Sequence, residues 1–289
     1  MRVRRQGSQP IIRPHMDAHM GDNVNGPSLI RAPAWLERPL ATYYLYFAHH
    51  DGRYIRLALA DDLLGPWRTY ESGVLPLETS LFAGHVASPD VHVDDNRREI
   101  RLYYHGADRP SGTGGRQATR VALSRDGLHF EVLPELLGEP YFRVFRWAGS
   151  FYALAMPGIF YRSPDGLTNF ERGPTLFSDR MRHSAVQLRG NTLRVFYTNA
   201  GDCPEQILLS TVELTPDWTR WTPSEPVVVL EPELAYEGGD LPRAPSRRGL
   251  VREPVCQLRD PAIFSEADRT YLLYAVAGER GIAIAELDE

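Results

Sequence analysis

Apolar residues along this chain come in short runs broken by polar turns, and no stretch sustains the 3.6-residue spacing of a long amphipathic helix. The clearest runs are YYLYF (43–47), IRLYY (100–104), FYALA (151–155), LRVFY (193–197) and YLLYA (271–275). A shorter apolar segment precedes each: GPSLI (26–30), SPDVHV (88–93), FRVFRW (142–147), HSAVQL (183–188) and DPAIF (260–264). A third follows each: YIRLALA (54–60), RVALS (120–124), IFYRS (159–163), ILLSTVEL (207–214) and GIAIAEL (281–287). Four of the units then pass through a turn to an aromatic residue, in DDLLGPW (61–67), SRDGLHF (124–130), SPDGLTNF (163–170) and TPDWTRW (215–221). The Asp or Gly supplies the turn, and the Trp or Phe is suited to packing between neighbouring units. A β-sandwich shares the alternation but does not repeat the same order of parts five times. The pattern predicts an all-β chain folded as a five-bladed β-propeller.

The fifth unit ends with its third strand, so its fourth must come from elsewhere. The segment QPIIRP (9–14) is the expected donor, which makes residues 1–24 an arm and 25–289 a single propeller domain. In such a ring the first strand of each blade lines the central channel. The loops opening that strand, and those joining the second strand to the third, share one face. On that face the repeat places Asn25; His85, Ser88 and Asp90; Tyr141 and Arg143; Arg182 and His183; and Arg259 and Asp260. The second set of loops adds His49-His50-Asp51, His105 with Asp108 and Arg109, Asn199 with Asp202 and Glu205, and Glu279 with Arg280. The opposite face carries ordinary polar hairpins such as VDDNRRE (93–99) and LRGN (188–191). This segregation of histidine, arginine and carboxylate predicts a site at one mouth of the channel.

Composition narrows the chemistry. The formal charge is −5, and all 32 basic residues are arginine. Without lysine there is no Schiff base, no pyridoxal-phosphate anchor and no Walker-type phosphate loop. The mild acidity and the lack of a basic stripe argue against a nucleic-acid or membrane-surface partner. The two cysteines, Cys203 and Cys256, fit no disulfide framework or zinc spacing, and the N-terminus carries charge without an apolar leader. A cytoplasmic protein without a metal is the expectation. Its oligomeric state is left open.

Several of these segments resemble the five-bladed propeller glycosidases, the group that includes glycoside hydrolase families 43, 32, 68, 117 and 130. They are LRDPAIF (258–264), ASPDVHVD (87–94) followed by REIRLYYHG (98–106), and NGPSLI (25–30) before YYLYFAHHDGRYIRLALADDLLGPW (43–67). The resemblance implies a carbohydrate substrate and, as in family 43, an inverting hydrolase with an Asp base, a second Asp that tunes it, and a Glu acid. It also leaves room for a channel Ca²⁺ or Na⁺, with no other cofactor. The chain departs from the family pattern at Asn25-Gly26-Pro27, Phe142-Arg143 and Arg182-His183-Ser184; only Asp260 falls cleanly on a D-P position.

Glycoside hydrolysis needs two carboxyl groups, and Asp260, Asp90 and Glu205 are the catalytic candidates. Asn25, His50, His85, His105, Arg143, Arg182, His183, Arg259 and Glu279 are the expected substrate contacts. The long connection 219–257 adds Glu237 and Asp240 in AYEGGDLP (235–242), suited to a lid or clamp. Two other functions suit the same mouth. One is a non-catalytic carbohydrate-binding propeller; the other is a transferase or phosphorylase whose arginines and histidines hold phosphate.

Overall fold

The structure, a computed structural model, describes residues 1–50, 52–110 and 113–288; Asp51, named above with His49 and His50, lies outside them. Five four-stranded antiparallel sheets follow one another around a central axis. Blade one consists of Asn25–Arg31, Tyr43–Ala48, Tyr54–Ala60 and Arg68–Pro76. Blade two consists of Val86–Asp94, Glu99–Ala107, Gln117–Ser124 and Glu131–Val132. Blade three runs from Arg143–Trp147 to Glu171–Thr175, and blade four from Met181–Arg189 to Val227–Leu230. The second strands are buried on both faces, Tyr43–Ala48 and Glu99–Ala107 along their whole length. A strand sandwiched between neighbouring blades reads as a continuous apolar run, which is why these runs dominate the sequence pattern.

The aromatic after each third strand packs against the preceding blade. Trp67 joins Phe264 and Tyr271 of blade five. Phe130 meets Tyr46 edge-on at 6.1 Å between centroids, and Trp221 packs on Tyr152 at 5.2 Å. Phe170 packs in a cluster that includes Tyr103 and Val121 of blade two. The turns leading to these rings close on aspartate. Asp126 accepts from the N–H groups of Leu128 and His129, both at 2.8 Å, and Asp165 does the same for Leu167 and Thr168.

Blade five holds Arg259–Glu266, Arg269–Ala275 and Ile282–Asp288, and its fourth strand is Arg2–Gln6, which pairs antiparallel with Ile284–Asp288. The closing strand therefore lies upstream of the expected 9–14 segment. From that segment Ile12 makes a single bridge to Ile282 and is itself fully buried. The outermost strand is partly exposed and tolerates arginines. The two-isoleucine segment is apolar because it plugs the interior beside Met20 and Val24. Among the described residues no helix is long and apolar enough to cross a membrane. Cys203 and Cys256 are both free thiols.

Four of the five inner strands share one irregularity that shapes the mouth. Pairing with the second strand slips between Asn25 and Ser28, Ala87 and Asp90, Met181 and Ser184, and Arg259 and Ala262. Such bulges re-aim side chains next to functional sites. In three blades the bulge residue before proline has positive φ: Gly26 at 59°, Ser88 at 48° and Asp260 at 46°. Tyr141, just before the inner strand of blade three, has φ 67°. Non-glycine residues in this region cost about 1–3 kcal/mol each and cluster at functional sites.

Candidate functional site

A cavity of about 290 Å³ opens at the predicted mouth. Blade one contributes Asn25, His49 and His50; blade two contributes His85, Ser88, His105, Arg109 and Gln117; Tyr141 closes it from blade three. Its described lining contains hydroxyl, amide, imidazole and guanidinium groups but no carboxylate.

A file of rings runs from the cavity wall to His183. His85 meets His105 edge-on at 5.5 Å, His105 lies over Tyr141 at 4.2 Å, and Tyr141 neighbours His183 at 5.4 Å. Burial, with the charges of His85 and Arg143, pushes His105 well below its ordinary range; burial with Arg182 and Arg259 does the same to His183. Both rings are neutral near neutral pH. His183 Nδ1 accepts from the Asp260 N–H at 3.3 Å, and its Nε2 lies 3.5 Å from Asp260 Oδ1.

Asp260 sits at the His183 end of this file, 2% exposed, with Oδ2 lacking any partner. Burial and the nearby charge of Glu279 push its carboxyl up to about 7, against the opposing pull of Arg182, Arg259 and Arg143. Glu279 behaves oppositely. Burial alone would raise it, but the hydrogen bond and charge of His50, the charge of Arg259, and Asn23 hold it at about 2. Its Oε1 lies 2.9 Å from Arg259 Nη1 and 3.3 Å from His50 Nδ1, and its Oε2 accepts from the Asn23 amide.

Around Asp260 the channel is strongly cationic. Arg143 is buried against the carbonyls of Ser184 and Pro89, and its Nη2 is unpaired. Arg182 Nη1 faces Glu205 Oε2 at 3.4 Å, and Arg259 Nε faces the same oxygen at 3.6 Å. Glu205 is fully buried, with Oε1 unpartnered. This setting does not fit the channel Ca²⁺ or Na⁺ that the family resemblance allows. Three guanidinium groups crowd the axis, the Asp260 carboxyl is pushed up to about 7 and so only partly ionised near neutral pH, and the described residues offer no cluster of three or more metal-ligating side chains.

The expected site residues thus fall into three groups. Asn25, His50, His85 and His105 line the cavity. Asp260, Glu205, Glu279, Arg143, Arg182, His183 and Arg259 form the buried layer beneath it. Asp90, Glu237 and Asp240 belong to neither. Asp90 lies two residues beyond the bulge, so its side chain turns into the seam with blade three. There its Oδ2 accepts from Val144 N–H and from His92 Nε2, each at 2.8 Å. Glu237 points inward instead of over the mouth: Arg5 Nε and the Tyr274 hydroxyl each donate to Oε1 at 2.8 Å, and Glu233 and Leu234 N–H donate to Oε2. Asp240 is exposed on the same connection and is not among the residues lining the cavity.

Sequence reasoning placed Ser88, Arg109, Tyr141 and His49 on this face without choosing them as site residues. Gln117 and Asn23 carried no signal at all. Asn23 nonetheless pins two site residues, accepting from the His50 N–H at 2.7 Å and donating to Glu279.

The bulge positions bear on the blade-one departure from the glycosidase pattern. Gly26 and Ser88 stand in blades one and two where Asp260 stands in blade five. A Cβ built on Gly26 would lie 3.2 Å from Ser88 Cα, so a side chain there needs the blade-two backbone to give by a few tenths of an ångström.

The architecture is that of the family 43 glycoside hydrolases. The chain superimposes on CoXyl43, a β-xylosidase/α-arabinofuranosidase from a compost microbial metagenome in complex with xylotriose, with a TM-score of 0.66. Sequence identity is 14%, and the match covers 99% of this chain and 96% of that one. The GH43_1 enzyme of Xanthomonas citri, complexed with xylose, matches at TM-score 0.64 with 13% identity, over 97% and 90% of the two chains. No family profile matches the sequence. In sequence the chain is 34% identical to uncharacterized protein R118 of Acanthamoeba polyphaga mimivirus over 92% of its own length and 83% of that protein's. It belongs to the same family as that protein.

Proposed function

We propose that the protein is a carbohydrate hydrolase that takes the terminal sugar of a short oligosaccharide into the mouth cavity, with Asp260 as the acid that protonates the departing glycosidic oxygen. One observation carries this reading: Asp260 is a buried carboxyl group pushed up to about 7 beside a carboxylate held at about 2, with one oxygen unpartnered. Environments that drive two carboxyl groups apart in this way mark acid and base assignments. The hydroxyl, amide and imidazole lining suits sugar hydroxyls, and the folds matched above bind xylose and xylotriose. Cleavage is read as inverting, as the family 43 resemblance implies.

The test is turnover of a panel of aryl pentosides and hexosides. Release of the aryl group should fall as pH rises through about 7, and Asp260→Asn should lower kcat by about 10²–10⁴-fold. NMR of the first-formed anomer reads the stereochemistry. A second reading, sugar binding without cleavage, is favoured by Gly26 and Ser88 at the positions of the family's carboxylates. Calorimetric binding of the same sugars without turnover would establish it.

A further inference from the structure

His50 is held in the cavity through both its backbone and its ring. Its backbone N–H is held by Asn23 Oδ1 at 2.7 Å, and its ring Nδ1 lies 3.3 Å from Glu279 Oε1. Glu279 is 2% exposed, anchored by Arg259 and Asn23, and ionised. An ionised carboxylate only accepts hydrogen bonds, so Nδ1 carries a proton, and in the neutral ring Nε2 then holds the lone pair. The ring itself lines the cavity. A buried carboxylate bonded to one nitrogen of a histidine that lines a polar pocket is the arrangement that activates water or a hydroxyl.

We propose that this pair serves a second hydrolysis: removal of an O-acyl group, such as acetate, from a sugar held in the cavity. Two considerations select an acyl ester over another glycosidic bond. Acetal cleavage needs a protonated carboxyl at the leaving oxygen, and Glu279, held ionised at about 2, cannot supply one. Ester hydrolysis needs a base for the water and donors for the charge that grows on the carbonyl oxygen. The lining supplies such donors in Ser88, Tyr141, Arg109, Gln117 and Asn25. Ser88 holds φ 48° at its bulge, the kind of stored strain that fixes a functional side chain.

In the step, His50 Nε2 takes a proton from water while the water oxygen bonds to the carbonyl carbon. The tetrahedral intermediate then collapses, the bond from the acyl carbon to the sugar oxygen breaks, and His50 returns the proton to that oxygen. The products are the free sugar hydroxyl and the carboxylic acid. His50 is the catalytic residue; Glu279 is a positioning residue that fixes its tautomer.

The inference rests on the sugar-binding part of the proposed function and not on Asp260. The probes are the mono-O-acetates of p-nitrophenyl β-D-xylopyranoside and α-L-arabinofuranoside, because each reports the two bonds separately. Acetate release reads the ester, and nitrophenolate reads the glycosidic bond. The wild-type protein should release acetate from at least one isomer. His50→Ala should lose about 10²–10⁴-fold, with partial recovery on adding free imidazole. In ¹⁵N NMR the His50 ring should show the Nδ1–H tautomer, a readout independent of turnover. Nitrophenolate release without acetate release overturns this inference and leaves the glycosidase reading standing. So does acetate release that survives His50→Ala, or an Nε2–H tautomer in the wild-type protein. Acetate release without nitrophenolate supports it while the glycosidase reading fails.

Discussion

Asp260 ties the chemistry of the site to the stability of the fold. Its carboxyl is raised from 3.8 to about 7, so the native state keeps its proton where the unfolded chain has lost it. Below about 4 both states are protonated and the contribution is present in full. Between about 4 and 7 the native state binds more protons, and stability falls by up to roughly 1.4 kcal/mol for each unit crossed. Asp260→Asn removes this titration. Chemical denaturation from pH 4 to 8 should therefore show the variant gaining on the wild type as pH rises; parallel profiles would refute the assignment. Gly26 makes a second prediction at this scale. Restoring the family carboxylate there by Gly26→Asp should not create a base. Its Cβ meets Ser88 Cα, and its φ of 59° strains any side chain, so the expected loss is about 1–3 kcal/mol, read as a lower Tm without new activity.

At the scale of elements, what was legible in the sequence was what the neighbours of a strand dictate. Second strands squeezed between blades must be largely apolar, and turns that reverse in four residues need Asp126 or Asp165, so both signals repeat. The closing strand was not legible because an outer strand needs little apolar surface. Arg2–Gln6 contributes Val3 as its one aliphatic residue and otherwise pairs charges, Arg4 with Glu286 and Arg5 with Glu237. Glu237 was misread as a clamp for the same reason: the arginine that buries it lies at the other end of the chain. Asp90 was misplaced because a bulge shifts side-chain direction without leaving a periodic trace. Asp260 was legible because its bulge coincides with a D-P motif. Arg5 offers the test of this closure. Glu237 is fully buried, and Arg5 with Tyr274 and two backbone N–H groups keeps its carboxyl below the ordinary range against the cost of burial. Removing one partner of such a pair typically costs about 3–5 kcal/mol. Arg5→Met should lower the urea midpoint accordingly and loosen both the N-terminal strand and the connection 231–257 in hydrogen exchange. An unchanged midpoint would show that the strand pairing alone closes the ring.

Across the whole molecule, the cavity and the closure stand at different seams of one ring. The N-terminal strand fastens the outer edge of blade five, whereas the cavity is walled by blades one, two and three. Between them the inner strands bring Arg143, Arg182 and Arg259 to the axis with Glu205, Glu279 and Asp260, a buried charge cluster whose members come from blades three, four and five. Glu279 belongs to both: Arg259 holds it in blade five, and His50 and Asn23 carry its influence to the blade-one wall of the cavity. A sugar in the cavity therefore adds contacts across the seams between blades one, two and three, which the native ring possesses and the unfolded chain does not. Binding at 100 times Kd stabilises the native state by about 2.7 kcal/mol. For a domain of this size that corresponds to a rise in Tm of several degrees. A cognate pentose or oligosaccharide should produce that rise in the wild-type protein. It should produce less in Gln117→Ala, which removes a lining amide at the blade-two wall. Equal shifts in both proteins would place the bound sugar outside this cavity.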